Sequence, residues 1–297
     1  ASMILFSSAD VRRCRPLLGT FVDIAATHAS TREAHRAVDA AFDEVFLVHR
    51  RMSFHDPESD VSRLNREALD HAVAVHPATF EVLRWARTIA EGSHGCFDVT
   101  VAAELVRRGI LPRPWSRHEP CRDGSWRDVE LLDEGCVRFH RPVWIDLGGI
   151  AKGYAVDRAI ERLGAHKVPQ ACVNAGGDLR VMGSATERVR LRPAAAPDRP
   201  AAIVELTNGS LASSSGGVGE PHDLERFPGL HVHGAHRRSA GSRTFACVMA
   251  DRCVIADALT KVVLGTRSRG VVLLRQYGAT AHLYTKRNGW HTVGAAA

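Results

Sequence analysis

The chain has 297 residues, 45% hydrophobic and 24% charged, an ordinary globular composition with length for a sizeable core or two packed subdomains. Its net charge of +6 is modest and scattered; an anionic small molecule would satisfy it as well as a nucleic acid, and with no continuous basic arm no nucleic-acid partner is expected. No uninterrupted apolar run is long enough to span a membrane, and the seven cysteines form no CxxC pair, which suggests reduced, mostly buried thiols.

Ala1 and Ser2 before Met3 look like residues left by an expression tag, and Ile4-Leu5-Phe6 is too short for the apolar part of a signal peptide. A full-length chain would therefore be cytoplasmic, and one whose leader had been removed periplasmic. The alternation in Leu18–Ile24 predicts a first strand. Ser30-Thr31-Arg32-Glu33 is a capping-box pattern, and it opens a helix to about Met52 with Val38, Ala41, Phe42, Val45 and Val48 on one face. A loop through Ser53–Asp60, a short helix through Leu64-Asn65 and a helix from Pro77 to Gly92 follow. Asp98 suits the N-cap of a further helix ending near Arg108. Residues 111–128, rich in proline, read as a surface excursion, with short strands near 129–132 and 137–139.

Val143–Asp157 reads as an apolar strand ending at Asp146, a Gly148-Gly149 turn, and a helix opening near Ile150. Helix N-termini present free N–H groups and a positive dipole end. Lys152 in that first turn opposes the dipole, which makes sense if an anion sits in front of it. An ordinary strand-to-helix connection with a surface lysine would read the same way. Strands are predicted at 171–173 and 179–183 around Asn174-Ala175-Gly176-Gly177-Asp178, at 188–192 and at 202–206. Leu211–Gly217 reads as a small-residue loop and 218–243 as irregular. Within the latter, His231 and His233 would share a strand face, a conceivable metal pair with no third ligand at a recognisable spacing. A strand at 244–249, a helix at 253–265 closed by glycine, and strands at 271–275 and 279–285 complete the chain. Many strands lack intervening helices, which argues for α+β over a doubly wound sheet. GxGxxG after the first strand, a Walker A loop and a GxSxG elbow are all absent.

Taken together, seven segments in order resemble the FAD:protein FMN transferase (ApbE type) family. They are Leu18-Gly19-Thr20-Phe21; Met52-Ser53-Phe54 with Ser59 and Leu64-Asn65; Gly95–Thr100; Asp146–Asp157; Asn174–Asp178; Ser214-Ser215-Gly216; and Ala256-Asp257-Ala258-Leu259. The resemblance implies a T-fold-related α+β unit spanning 16–285 as one domain, with an FAD cleft between two lobes and residues 1–15 as an extension. It implies a Mg²⁺-dependent transfer of FMN from FAD to a Thr or Ser hydroxyl of an acceptor flavoprotein, with AMP released. FAD hydrolysis to FMN and AMP, or FAD binding without catalysis, are the alternatives. The acceptor's identity and the oligomeric state stay open.

Carried over residue by residue, the resemblance makes Gly149 and Asp257 ligands of Mg²⁺ and places Asp146 and Lys152 against FAD. Phe97 and Asp98 would line the nucleotide cleft, with Asn174, Asp178 and Ser214 beside it. Phe54 stands where the family often has Tyr, so stacking survives without a hydroxyl contact. His231 matches the family's histidine and, with a pKa near neutrality, would be the base for the acceptor hydroxyl. Two departures stand out. His231–His236 lacks the family's Asp-Pro, and four residues after Asp257, where the family places a metal-binding Thr, this chain has Lys261. Either Lys261 takes over part of the cation's role at the catalytic centre, or a helix shift brings Thr260 to the metal. The third reading is an exposed i,i+4 ion pair of about 0.3–0.5 kcal/mol.

Overall fold

A computed structural model describes residues 3–5, 11–193, 201–215, 231–239 and 244–294. In chain order the elements are β1 (Met3–Leu5), β2 (Val11–Leu17), β3 (Thr20–Thr27), α1 (Thr31–Met52), α2 (Asp60–Glu67), β4 (Val73–Ala74), α3 (Pro77–Gly92), α4 (Ala102–Arg107), β5 (Val129–Leu131) and β6 (Cys136–Phe139). They continue with α5 (Ala151–Ala165), β7 (Gln170–Ala175), β8 (Asp178–Met182), β9 (Thr186–Leu191), β10 (Ala202–Thr207), β11 (Ser210–Ser215), β12 (Thr244–Ala250), α6 (Cys253–Gly265), α7 (Arg267–Gln276), β13 (Thr280–Thr285) and β14 (Gly289–Gly294).

The main sheet has eight strands in the order β14-β13-β12-β11-β8-β7-β3-β2. Its neighbours all run antiparallel. The fold is thus α+β, as expected. Strand periodicity divides the sheet's faces. On β8, Leu179 and Val181 join a smaller core with Val189, Leu191 and Leu206 of the β1-β9-β10 sheet. Asp178 and Arg180 alternate with them and meet Lys152 and Asp157 of α5. On that helix side, α5 packs between α1 and α6, and α6 lies on β11 and β12. From Cys253 to Leu264 only Lys261 of α6 escapes full burial, as a helix apolar on nearly every face must be surrounded. A second lobe holds α2, α3, α4 and the β4-β6-β5 sheet.

Local signals account for much of this. Ser30 caps α1 by accepting from the Glu33 N–H, and the expected stripe from Ala34 to Met52 is buried. Asp98 accepts from the Thr100 N–H ahead of α4. Other expectations are corrected. Leu18-Gly19 is a turn between β2 and β3, with both residues at positive φ, the signature of a tight two-residue hairpin. The sheet takes in 11–15 and 289–294, on either side of the expected domain limits. Residues 210–215 form strand β11, held between β8 and β12; Gly216 and Gly217 lie outside the described residues. Residues 271–275 belong to helix α7, which buries Leu273 and Leu274 and leaves Val272 exposed; a short apolar run does not distinguish strand from helix. No helix among the described residues is long and apolar enough to cross a membrane.

Val143–Asp146 is extended but joins no sheet. Asn65 of α2 replaces a neighbouring strand: its Oδ1 accepts from the Ile145 N–H at 2.7 Å and its Nδ2 donates to the Ile145 carbonyl at 3.0 Å. The Asp146 N–H donates to the Val99 carbonyl. One buried side chain from the second lobe therefore aims the whole glycine turn. Asn65→Ala should leave two buried backbone groups unpaired and cost about 2–4 kcal/mol by urea denaturation. A loss under about 0.5 kcal/mol, the range of an ordinary surface substitution, would show that the bracket does not hold the segment.

Candidate active site

The turn Gly148–Ile150 leads into α5, whose N-cap residue Ile150 makes no side-chain capping bond. A Cβ on Gly148 would press on an Asp146 carboxylate oxygen at 3.0 Å, while one on Gly149 would meet the Phe97 ring at 3.4 Å, an ordinary contact. Asp146 folds back over the turn and accepts from the Gly148 and Leu147 N–H groups. Burial nevertheless raises its pKa above the usual carboxylate value, against those bonds and Lys152.

One turn into α5 the chain meets α6 at van der Waals limits. A Cβ on Gly153 would lie 2.3 Å from the Cys253 carbonyl oxygen and 2.8 Å from Asp257 Cβ. With only hydrogen there, the Gly153 N–H donates to Asp257 Oδ2 at 3.0 Å. Asp157, one turn further along α5, accepts from the Cys253 and Val254 N–H groups at 3.0 Å each, and so caps α6 from outside. Sequence reasoning gave Asp157 no role. Its signal was its position four residues after Gly153, on the same face of the helix.

These contacts assemble two buried carboxylates and two lysines. Lys152 Nζ lies 2.7 Å from Asp178 Oδ2 and 3.6 Å from Asp257 Oδ2. Lys261 donates to Asp257 Oδ1 and, at 3.1 Å, to the Asp257 carbonyl. Asp257 is 0% exposed and Lys261 only 14%, so this is no surface ion pair. Burial pushes the Asp257 carboxyl up, but Lys152 and Lys261 overcome it and hold its pKa below the usual range. For Asp178, burial and the nearby Asp257 charge outweigh Lys152, and its pKa is raised. Burial alone would lower the Lys152 pKa, yet Asp178 and Asp257 raise it well above the ordinary value. Lys152 therefore stays an ammonium ion.

Two adjoining cavities open over this cluster, and Leu111, Asp146, Gly148 and Lys152 line both. One, of about 370 Å³, is bounded by Phe97, Asp98, Gly149, Ser214, His231 and Lys261. The other, of about 510 Å³, is bounded by Leu18, His49, Met52, Phe54, His55 and Asp56. Most of the residues singled out in the sequence thus meet in one cleft between the lobes, with Asp178 and Asp257 behind Lys152.

Several differ in detail. Asn174 lies off the cleft: its Oδ1 accepts from the Gly177 N–H and closes the β7–β8 hairpin. Asp98 lines the cleft, but its oxygens accept from Thr100 and Trp126. Burial dominates its raised pKa, with Arg237 opposing. His231 reaches the cleft, but its pKa is lowered to about 3, by burial first and then by Lys261 and Lys152, so the near-neutral value expected of it does not hold in the ligand-free protein. His233 points elsewhere and stacks on His236, ring centroids 4.6 Å apart.

The donors implied for Mg²⁺ do not fit the ion. The fully buried Thr260 hydroxyl donates back to the Asp257 carbonyl at 2.7 Å and meets Ser214 Oγ at 2.8 Å. Both Asp257 oxygens are engaged by Lys261, Gly153 and Lys152. Beside Gly149 stands the Lys261 stem, its Cε 3.8 Å from where a Cβ would be. Among the described residues no group of three or more His, Cys, Asp and Glu side chains could hold a metal.

A glycine turn leading into α5 and two lysines in a two-chambered cleft define an α+β protein with a basic site between its elements. The chain belongs to the ApbE family, whose sequence model matches residues 18–283. It is 25% identical over 287 residues to the FAD:protein FMN transferase of Treponema pallidum, spanning 83% of this chain and 77% of that protein. The Haemophilus influenzae protein of the same name is 24% identical over 213 residues, 65% of this chain and 61% of its own length. The flavin transferase ApbE from Vibrio cholerae has the same fold, with a TM-score of 0.78 at 20% identity, over 96% of this chain and 97% of that one.

In a helix, Gly→Ala ordinarily gains up to about 1 kcal/mol. At Gly153 the collision with α6 should reverse the sign, for a net loss of about 1–2 kcal/mol in thermal or urea unfolding; a stabilised Gly153→Ala variant would contradict the close approach. His231 should titrate in the ligand-free protein far below other histidines, near about 3, when its ring is followed by NMR. The unfolded chain takes up that proton near pH 6.5, so stability falls as pH drops from there toward the folded value and is unaffected above. A His231 midpoint at or above the ordinary value would contradict this environment.

Proposed function

We propose that the chain is an FAD:protein FMN transferase. The observation that carries this reading is Lys152, an ammonium shared by both cavities, set in the first turn of α5 and buttressed by Asp178 and Asp257. A dinucleotide has the matching shape: two flat ring systems joined by a diphosphate. Each cavity offers one buried phenylalanine wall, Phe97 or Phe54, for a ring system, and Lys152 with the Gly148-Gly149 turn faces the diphosphate between them.

In the reaction, the hydroxyl oxygen of a Thr or Ser on an acceptor flavoprotein attacks the flavin-side phosphorus. The bond from that phosphorus to the bridging oxygen breaks, AMP leaves with the bridging oxygen, and the hydroxyl proton passes to a base. Phosphoryl transfer of this kind depends on positioning and on neutralising charge. Lys152 and Lys261 supply fixed positive charge on the cleft wall. His231 is neutral and therefore free to accept the proton; two phosphate charges nearby would offset the lysines and bring its pKa back up. The resemblance also implied Mg²⁺, but with its donors unfitted to the ion the proposed chemistry uses the lysines.

Incubation with FAD should release AMP when an acceptor flavoprotein carrying a Thr or Ser site is present, and little without it. Equal release without acceptor would assign a hydrolase. Lys152→Met should weaken FAD binding by about 10- to 100-fold in a fluorescence titration, the scale of a lost charge-assisted contact. Undiminished binding would remove Lys152 from the site.

A further inference from the structure

We infer that Lys261 is a built-in substitute for a divalent cation, so that the diphosphate of the dinucleotide is bound and neutralised in this chain without a metal ion. The inference rests on the FAD reading above and specifies how its anion is held. It starts from where the ammonium lies. Lys261 sits one turn after Asp257 on α6, and its Nζ engages both Asp257 Oδ1 and the Asp257 carbonyl oxygen. Its stem passes Gly149 at the cleft wall. The group therefore occupies the space between the glycine turn and the buried carboxylate, the location implied for Mg²⁺.

Three further observations support the substitution. An ammonium has three N–H donors; Asp257 takes two, which leaves one for the cavity that Lys261 lines. Charge is balanced, two ammonium groups against the two carboxylates they touch, Asp178 and Asp257. A divalent ion added beside Lys261 would face repulsion at contact distance in a partly desolvated site. Finally, Thr260, the nearest hydroxyl on α6, is committed to Ser214 and to the helix backbone, and turning it toward the cleft would break both bonds. Lys152 and Lys261 thus place two fixed cationic groups, each backed by a buried carboxylate, where a metal site would hold an exchangeable ion.

FAD binding to the chelator-dialysed protein, followed by flavin fluorescence, tests this directly. The expected result is the same affinity, within about twofold, in EDTA and in millimolar Mg²⁺, with no Mn²⁺ taken up by the FAD complex in electron paramagnetic resonance. Binding that EDTA abolishes and Mg²⁺ restores, or stoichiometric Mn²⁺ uptake, would overturn the inference and leave the FAD reading standing. Absence of FAD binding in both buffers would overturn both. Lys261→Met, checked for an unchanged melting temperature, should lose about tenfold or more in affinity in EDTA, with partial recovery in Lys261→Arg. Wild-type affinity in a folded Lys261→Met protein would also overturn it.

Discussion

The contact between α5 and α6 at Gly153 is the constraint on which the site depends. Because no side chain separates the helices, the Gly153 N–H reaches the Asp257 carboxylate. The same approach lets Asp157 cap the N-terminus of α6 from the side of its neighbour. Asp257 is thereby fixed at the level of the first turn of α5, beside Lys152. β8 then adds Asp178 on the face its strand period turns toward the helices. A wider helix spacing would leave the same residues in the chain but not in one cluster.

The cluster is not a stability device. At an effective dielectric of about 20, an ion pair near 3 Å gains about 5 kcal/mol, while removing each ion from water costs several kcal/mol. The two nearly cancel. What the arrangement retains is positive charge held rigidly at the rim of two cavities, with its counter-charges buried behind it. A helix N-terminus aimed at the same place adds to that field. The resulting surface favours a diphosphate, and the same two lysines add to the burial that chiefly depresses the pKa of His231.

Much of this was legible in the sequence because the signals were local. The capping box at Ser30, the N-cap at Asp98 and the Gly148-Gly149 turn before Lys152 each depend on a few adjacent residues. The residues that could not be read act across long separations. Asn65 brackets Ile145 eighty positions away, so an apolar run that resembled a strand has a side chain for its partner. Asp157 is a capping residue only because α6 arrives beside it. Thr260 and Lys261 are adjacent in sequence, yet the helix turns one into the core and the other toward the cleft. The 271–275 run failed for a different reason, since four apolar residues fit either period and only packing against the neighbouring helix decides.

The central claim is that this cleft holds FAD so that its flavin-side phosphorus meets a protein hydroxyl. The most direct measurement is the intact mass of a purified acceptor flavoprotein after incubation with this protein and FAD. The account predicts a gain of one FMN, located by peptide mapping on a Thr or Ser side chain and lost when that residue is replaced by Ala. An acceptor whose mass is unchanged while FAD is consumed would contradict it.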